Sequence, residues 1–179
     1  WSWGPLMADL DNDGWKDLFI SNGTRREINN RDFFLAWEAE GRPMDNLLQR
    51  SLDIPSEPID NFVYRNTGDL RFERVNESWG IVKEGFSNGG VYVDLDNDGD
   101  LDIFIGYGDN QPNEIWINTG GANFTNSGQL IGNSDTQKVE LRDLDGDGRL
   151  DAFIANGSNQ PNEVWLNVGV SYTYLPLIL

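Results

Sequence analysis

Cysteine and histidine are both absent from this 179-residue sequence. The first absence removes disulfides and thiolate sites; the second removes the usual general base and the commonest ligand of transition metals. Any metal must therefore be held by oxygen. Basic residues are scarce as well: 13 Lys and Arg stand against 30 Asp and Glu, for a net charge of -17. Such a field repels nucleic acid and anionic membranes and attracts metal cations. Long apolar runs are missing too, since the stretch Tyr174 to Leu179 falls far short of the ~20 residues of a membrane span, and no membrane insertion is expected. No basic and apolar signal peptide stands before Trp1. A chain that opens on Trp is expected to be processed or cut from something longer, so export remains compatible with this start. What is present, 38% hydrophobic residues of which many are aromatic, suffices for the core of one domain.

Three segments repeat. Asp9 to Asp17, Asp94 to Asp102 and Asp143 to Asp151 all read DxDxDGxxD, and each runs directly into a short β-forming stretch: Leu18-Phe19-Ile20, Ile103-Phe104-Ile105 and Ala152-Phe153-Ile154. Asn110 to Asn118 returns as Asn159 to Asn167 after the same shift that separates the last two Asp loops, so the repeat is structural as well as chemical. In the first unit the matching segment, Asn61 to Gly68, is displaced by an insertion. Phe72 and Phe124 follow their Asn residues at equal spacing, with Tyr172 or Tyr174 at the corresponding place in the third unit. Each unit then reads as entering strand, Asp loop, strand, turn, Trp/Tyr strand, turn, aromatic strand. Pro5 to Ala8, Gly90 to Val93 and Lys138 to Arg142 supply the entering strands.

Four short strands in about 49 residues is the size of one propeller blade. The fold expected is all-β: a single domain over 1–179 made of about three four-stranded blades, at about 1–82, 83–133 and 134–179, forming a partial or open propeller. The insertion, about 24–58, changes period. Asn30 can cap a helix carrying Phe33, Phe34 and Trp37, and Pro43 can open a second with Met44, Leu47, Leu48 and Leu52 on one face. A helical excursion that covers apolar sheet surface is the expectation.

In a DxDxDGxxD loop, positions 1, 3 and 5 can turn carboxylates inward, the glycine at 6 permits a sharp turn, position 7 can offer its carbonyl, and position 9 closes with another carboxylate. The candidate ligands are Asp9, Asp11, Asp13, Trp15 and Asp17; Asp94, Asp96, Asp98, Asp100 and Asp102; and Asp143, Asp145, Asp147, Arg149 and Asp151, with Trp15, Asp100 and Arg149 acting through their carbonyls. Six or seven oxygens in a flexible loop suit Ca²⁺ better than Mg²⁺, giving about three ions per chain. An EF-hand is excluded, because its position 12 is a bidentate Glu between helices, whereas here it is Ile20, Ile105 and Ile154 inside strands. The plainer alternative is that these acidic turns only solvate the surface. Asn22-Gly-Thr24, Asn76-Glu-Ser78, Asn123-Phe-Thr125 and Asn156-Gly-Ser158 read both as glycosylation triplets and as turns, and the turn reading is preferred.

These residues resemble the FG-GAP/VCBS repeats, the calcium-loop blades also seen in the integrin α-subunit propeller. The stretch from Trp1-Ser2-Trp3-Gly4-Pro5 through Asn66-Thr67-Gly68, Trp79-Gly80 and Phe86 to Gly90 is more narrowly similar to secreted bacterial VCBS proteins that carry an ASPIC/UnbV module, relatives of cartilage acidic protein. The resemblance implies a β-propeller with Ca²⁺ in the Asp loops, exported to the cell surface or medium, and serving adhesion or recognition of proteins or glycans. Two departures stand out: three blades are fewer than a closed propeller uses, and no ASPIC/UnbV module follows. Further blades of a larger chain or a homo-oligomer are the expected way to complete the ring.

A calcium-stabilised binding scaffold without catalytic residues is the leading expectation. Its ligand surface is expected on loops such as the Asn-Gln-Pro-Asn turns, though such turns need no ligand to justify them. The alternatives are a polysaccharide lyase or hydrolase using a carboxylate pair, with Glu38, Glu40, Glu57 and Glu84 outside the metal loops but not singled out by spacing, and a structural spacer with no ligand.

Overall fold

The computed structural model describes residues 3–23, 30–41, 51–169 and 174–176. Three four-stranded antiparallel sheets follow one another along the chain. The first contains β1 (Trp3–Ala8), β2 (Asp17–Ser21), β4 (Phe62–Asn66) and β5 (Phe72–Arg74) in that order. The second runs β7 (Ser87–Val93), β8 (Asp102–Tyr107), β9 (Asn113–Asn118) and β10 (Phe124–Ile131). The third runs β11 (Thr136–Arg142), β12 (Asp151–Asn156), β13 (Glu163–Asn167) and β14 (Tyr174–Pro176). Each sheet is a meander, as the repeat requires, and β7 lies against both β1 and β11, so the entering strands of the three blades are neighbours.

Period-2 alternation explains the layering. In β8, Ile103, Ile105 and Tyr107 point toward the first blade, where they meet Phe19, Val63 and Trp79. Phe104 points the other way, into a second cluster with Ile115, Ile117, Val139 and Ile154. The middle blade is thus covered on both faces, which is why every residue of β8 and β9 is buried. Burying a side chain such as Phe104 stabilises the stack by about 1.5–3 kcal/mol. Its counterpart in the third blade, Phe153, is 38% exposed because no further blade covers it among the described residues.

The inserted helix α1 spans Arg31–Ala39, and the Asn30 side chain accepts the Phe33 N–H at 2.9 Å as the cap expected. The expected sheet-covering role is not seen: none of its residues is buried. Phe33, Phe34 and Trp37 pack on one another instead, with Phe34 and Trp37 stacked at 6.1 Å. Of the second helix expected from Pro43, Met44, Leu47 and Leu48 lie outside the described residues, as does Tyr172, and Leu52 is exposed. A two-stranded ribbon of β3 (Ile59–Asp60) and β6 (Glu84–Gly85) has no counterpart in the sequence reading. Two-residue strands carry no period to detect.

Candidate metal centre

The three Asp loops join β1 to β2, β7 to β8 and β11 to β12, at the same end of their hairpins. Each is wound around its own carboxylates. In the second loop Asp94 accepts the Asp98 N–H at 3.2 Å and the Gly99 N–H at 3.1 Å, Asp96 accepts the Asp98 N–H at 3.2 Å, and Asp98 accepts the Asp100 N–H at 2.9 Å. The first loop repeats this with Asp9, Asp11 and Asp13; the third does so with Asp143, Asp145 and Asp147, except that Asp143 accepts the Gly146 N–H at 2.7 Å in place of the position-5 N–H. Two left-handed residues make the winding possible. Gly99 at position 6 has φ 96°, and Asn97 at position 4 has φ 62°; Asn12 and Gly146 do the same at position 4 of the other loops. Asn or Gly at position 4 was the overlooked signal for this second turn.

Position 9 has a distinct task. Asp17, Asp102 and Asp151 are fully buried, and each carboxylate accepts two backbone N–H groups, one from position 2 of its own loop and one from the third strand of its blade. For Asp102 these are Leu95 at 2.7 Å and Asn118 at 2.9 Å; for Asp17, Leu10 and Asn66; for Asp151, Leu144 and Asn167. Those Asn residues turn their own side-chain oxygens onto Gly68, Gly120 and Gly169. An Asp–Asn–Gly clamp therefore recurs in every blade and ties the loop to the far hairpin. In the sequence these Asn residues mark only the register of the repeat.

The carboxylates converge. Oxygens of Asp94, Asp96 and Asp102 lie within 4.8 Å of one another, as do those of Asp143, Asp145 and Asp151, and those of Asp9, Asp11 and Asp13. Position 5 joins the group only in the first loop, and position 9 only in the other two. A carboxylate has about four lone-pair positions, so an oxygen that accepts one N–H can still meet a cation. The hard, all-oxygen donor set fits Ca²⁺ by its chemistry. Burial pushes the Asp102 carboxyl up to about 6 against its two N–H bonds, and burial first, then neighbouring Asp98, raises Asp96. Burial is the larger cause in both, and the neighbouring carboxylates add to it.

Cations of the chain itself reach two of the loops. Arg65 approaches the first, with Nε 2.7 Å from Asp11 Oδ2 and Nη2 2.9 Å from Asp13 Oδ2. The Trp15 N–H and then Arg65 hold the Asp13 carboxyl below the usual carboxylate range. In the third loop Arg149 pairs with Asp147, which stands outside the converging trio, and anchors its Nε on the Asn167 carbonyl at 2.8 Å. The second loop has no Lys or Arg partner among the described residues; Asp100 instead accepts the Asn12 amide of the neighbouring loop at 2.6 Å. The second and third loops border a common cleft of about 350 Å³.

At the opposite end of the hairpins lie the Asn-Gln-Pro-Asn turns, whose first Asn closes a left-handed pair, Asp109-Asn110 or Ser158-Asn159. Their amides serve the fold. Asn113 and Asn162 accept the N–H groups of Tyr107 and Asn156 at 2.8 and 3.0 Å, and Gln160 accepts the Asp135 N–H at 2.6 Å while donating to Asn110 at 2.7 Å. Beside them an open polar cleft of about 540 Å³ is bordered by Asn88, Asp109, Asp135, Gln137 and Ser158, with Phe86 at its wall. Glu38, Glu40, Glu57 and Glu84 do not border it. No helix among the described residues is long and apolar enough to cross a membrane.

Residues 94–154, which hold the second Asp loop, the third, and the strands between, match the family model of the FG-GAP-like repeat. Over 151 aligned residues the chain is 23% identical to cartilage acidic protein 1 of Homo sapiens and 24% identical to that of Mus musculus. Each alignment covers 69% of this chain and 23% of the relative, so the chain spans less than a quarter of the length of these relatives.

Proposed function

Because the chain carries FG-GAP-like repeats, we propose that it is a calcium-binding extracellular scaffold, in which the ions stabilise the blades and exposed surfaces at the other end of the hairpins recognise a protein or glycan. The observation that carries this reading is the second loop, where three carboxylates converge within 4.8 Å with no side-chain cation among the described residues to relieve their repulsion. A bound ion would join the loop to the clamp at Asp102 and hence to β9, so binding and folding are linked: at a hundredfold excess over Kd the gain is about 2.7 kcal/mol. Extracellular calcium, ~1 mM, suits loops of this kind.

Amides of the Asn-Gln-Pro-Asn turns are taken up by partners within the fold, which moves the proposed ligand surface to the adjacent polar cleft at Asn88, Asp109 and Asp135. The open face around Phe153 is where further blades or a second copy would seat. Calorimetric titration with Ca²⁺, and in parallel with Mg²⁺, tests the metal reading. Saturable heat with Ca²⁺ and much weaker heat with Mg²⁺ is the expected outcome; no calcium binding to the folded chain would return the loops to solvated turns. Glycan and protein arrays test the recognition reading, which uniform silence in calcium would contradict.

A further inference from the structure

We infer that Arg65 is the resident cation of the first Asp loop, so that this chain takes up calcium at its second and third loops and not at its first. The inference rests on the calcium reading of the loops given above and corrects the ion count that three equal motifs suggest. Its basis is a difference between blades at one register position. Tyr64-Arg65-Asn66, Trp116-Ile117-Asn118 and Trp165-Leu166-Asn167 occupy the same place in β4, β9 and β13, ending on the clamp Asn in each case. The residue before that Asn is Ile117 or Leu166 in two blades and Arg65 in the first.

In the middle blade Ile117 lies in the buried cluster with Leu95 and Phe104. Neither it nor Leu166 brings a charge to its loop, and the carboxylate trio is left for an external ion. Arg65 instead brings a guanidinium to the inner carboxylates: Nε forms an ion pair with Asp11 at 2.7 Å, without a directed hydrogen bond, and Nη2 donates to Asp13 at 2.9 Å. Two members of the converging trio Asp9, Asp11 and Asp13 therefore already share the Arg65 charge. A calcium ion entering there would have to break both pairs and sit beside a fixed positive charge that stays protonated at any ordinary pH. Arg149 does not do this to the third loop. It holds Asp147 alone, leaving Asp143, Asp145 and Asp151 clear. The consequence is a division of labour: the first loop is closed by the chain's own charge and keeps its shape in the absence of calcium, while the other two depend on the ion.

The test is the calcium stoichiometry of the full chain, by calorimetric titration backed by equilibrium dialysis with ⁴⁵Ca, for the wild type, Arg65→Ile and Arg65→Gln. The first substitution installs the residue found in the middle blade, and the second keeps a polar neutral side chain should the aliphatic one fail to fold. About two ions per chain for the wild type, rising to about three in a folded variant, is the result expected. Three ions for the wild type, or two for both variants, would overturn the inference while leaving the calcium reading intact. No ions for any of the chains would remove that reading and this inference with it.

Discussion

The carboxylate of Asp102 accepts the backbone N–H of Asn118 across the blade at 2.9 Å, although neither residue has any exposed surface. Its other oxygen holds Leu95, the second residue of the same loop, so one side chain fixes both the start of the loop and the strand beyond it. Replacing Asp102 by Ala strands two buried N–H groups and is expected to destabilise the chain by about 3 kcal/mol even in EDTA. Asp98→Ala, at an exposed position, should cost well under half of that in EDTA. Urea unfolding of both variants checks the contrast, and equal losses would show that position 9 has no separate structural role.

Protonation of the same group sets a pH dependence. Burial raises Asp102 from 3.8 to about 6 in the metal-free chain. A carboxyl whose folded value is raised contributes stability that is complete below about 3.8 and is lost as pH rises through about 6. In EDTA, the part of the unfolding midpoint that depends on Asp102 should therefore fall between about pH 4 and about pH 6, and Asp102→Asn should flatten that part of the slope. Calcium favours the ionised form, so its stabilising effect should grow over the same interval. Midpoints across pH with and without calcium decide the matter, and a wild-type slope in EDTA identical to that of Asp102→Asn would contradict it.

Gly80 sits at the junction of the first two blades, with φ 80° and an added Cβ only 2.6 Å from the Phe124 carbonyl oxygen. The Phe124 N–H donates to the Trp79 carbonyl at 2.9 Å in the same contact. Gly80→Ala must strain the backbone and push the blades apart, at a cost of about 2 kcal/mol or more. Thermal unfolding measures it; a neutral substitution would mean that this junction gives way freely.

Two of the glycosylation triplets separate on burial. Asn76 is 3% exposed, and its side chain donates to the Asn61 and Ile81 carbonyls and accepts the Val63 N–H, so it is closed to any enzyme acting on the folded chain. Asn123 is exposed, bonded only near its own turn. Expression through a eukaryotic secretory pathway followed by peptide mapping should find sugar on Asn123 and little on Asn76. The reverse occupancy would contradict the placement of both side chains.

Much of this was legible because one spacing recurs. Loops and strands that return together mark their own boundaries, and Asn30 with Phe33, Phe34 and Trp37 marked α1. Legibility failed where meaning depends on what meets in space. The clamp joins Asp102 to an N–H sixteen residues away, and a backbone donor leaves no trace in composition. Arg65 was concealed by the insertion, which separates it by 52 residues from the Asp13 it pairs with. A charge at a place that is Ile117 and Leu166 elsewhere was the available signal. The exposure of α1 was not readable either, since an aromatic face looks alike whether it packs on a sheet or on itself.

The most direct test of the central claim is thermal unfolding of the chain in EDTA, in millimolar Ca²⁺ and in millimolar Mg²⁺, beside a variant carrying Asp96→Asn and Asp98→Asn, which keeps the shape of the second loop but removes its charge. A rise in midpoint of several degrees that is specific to Ca²⁺, and clearly smaller in the variant, is the result predicted. A folded chain whose midpoint is the same in all three solutions would contradict the reading of these loops as calcium sites.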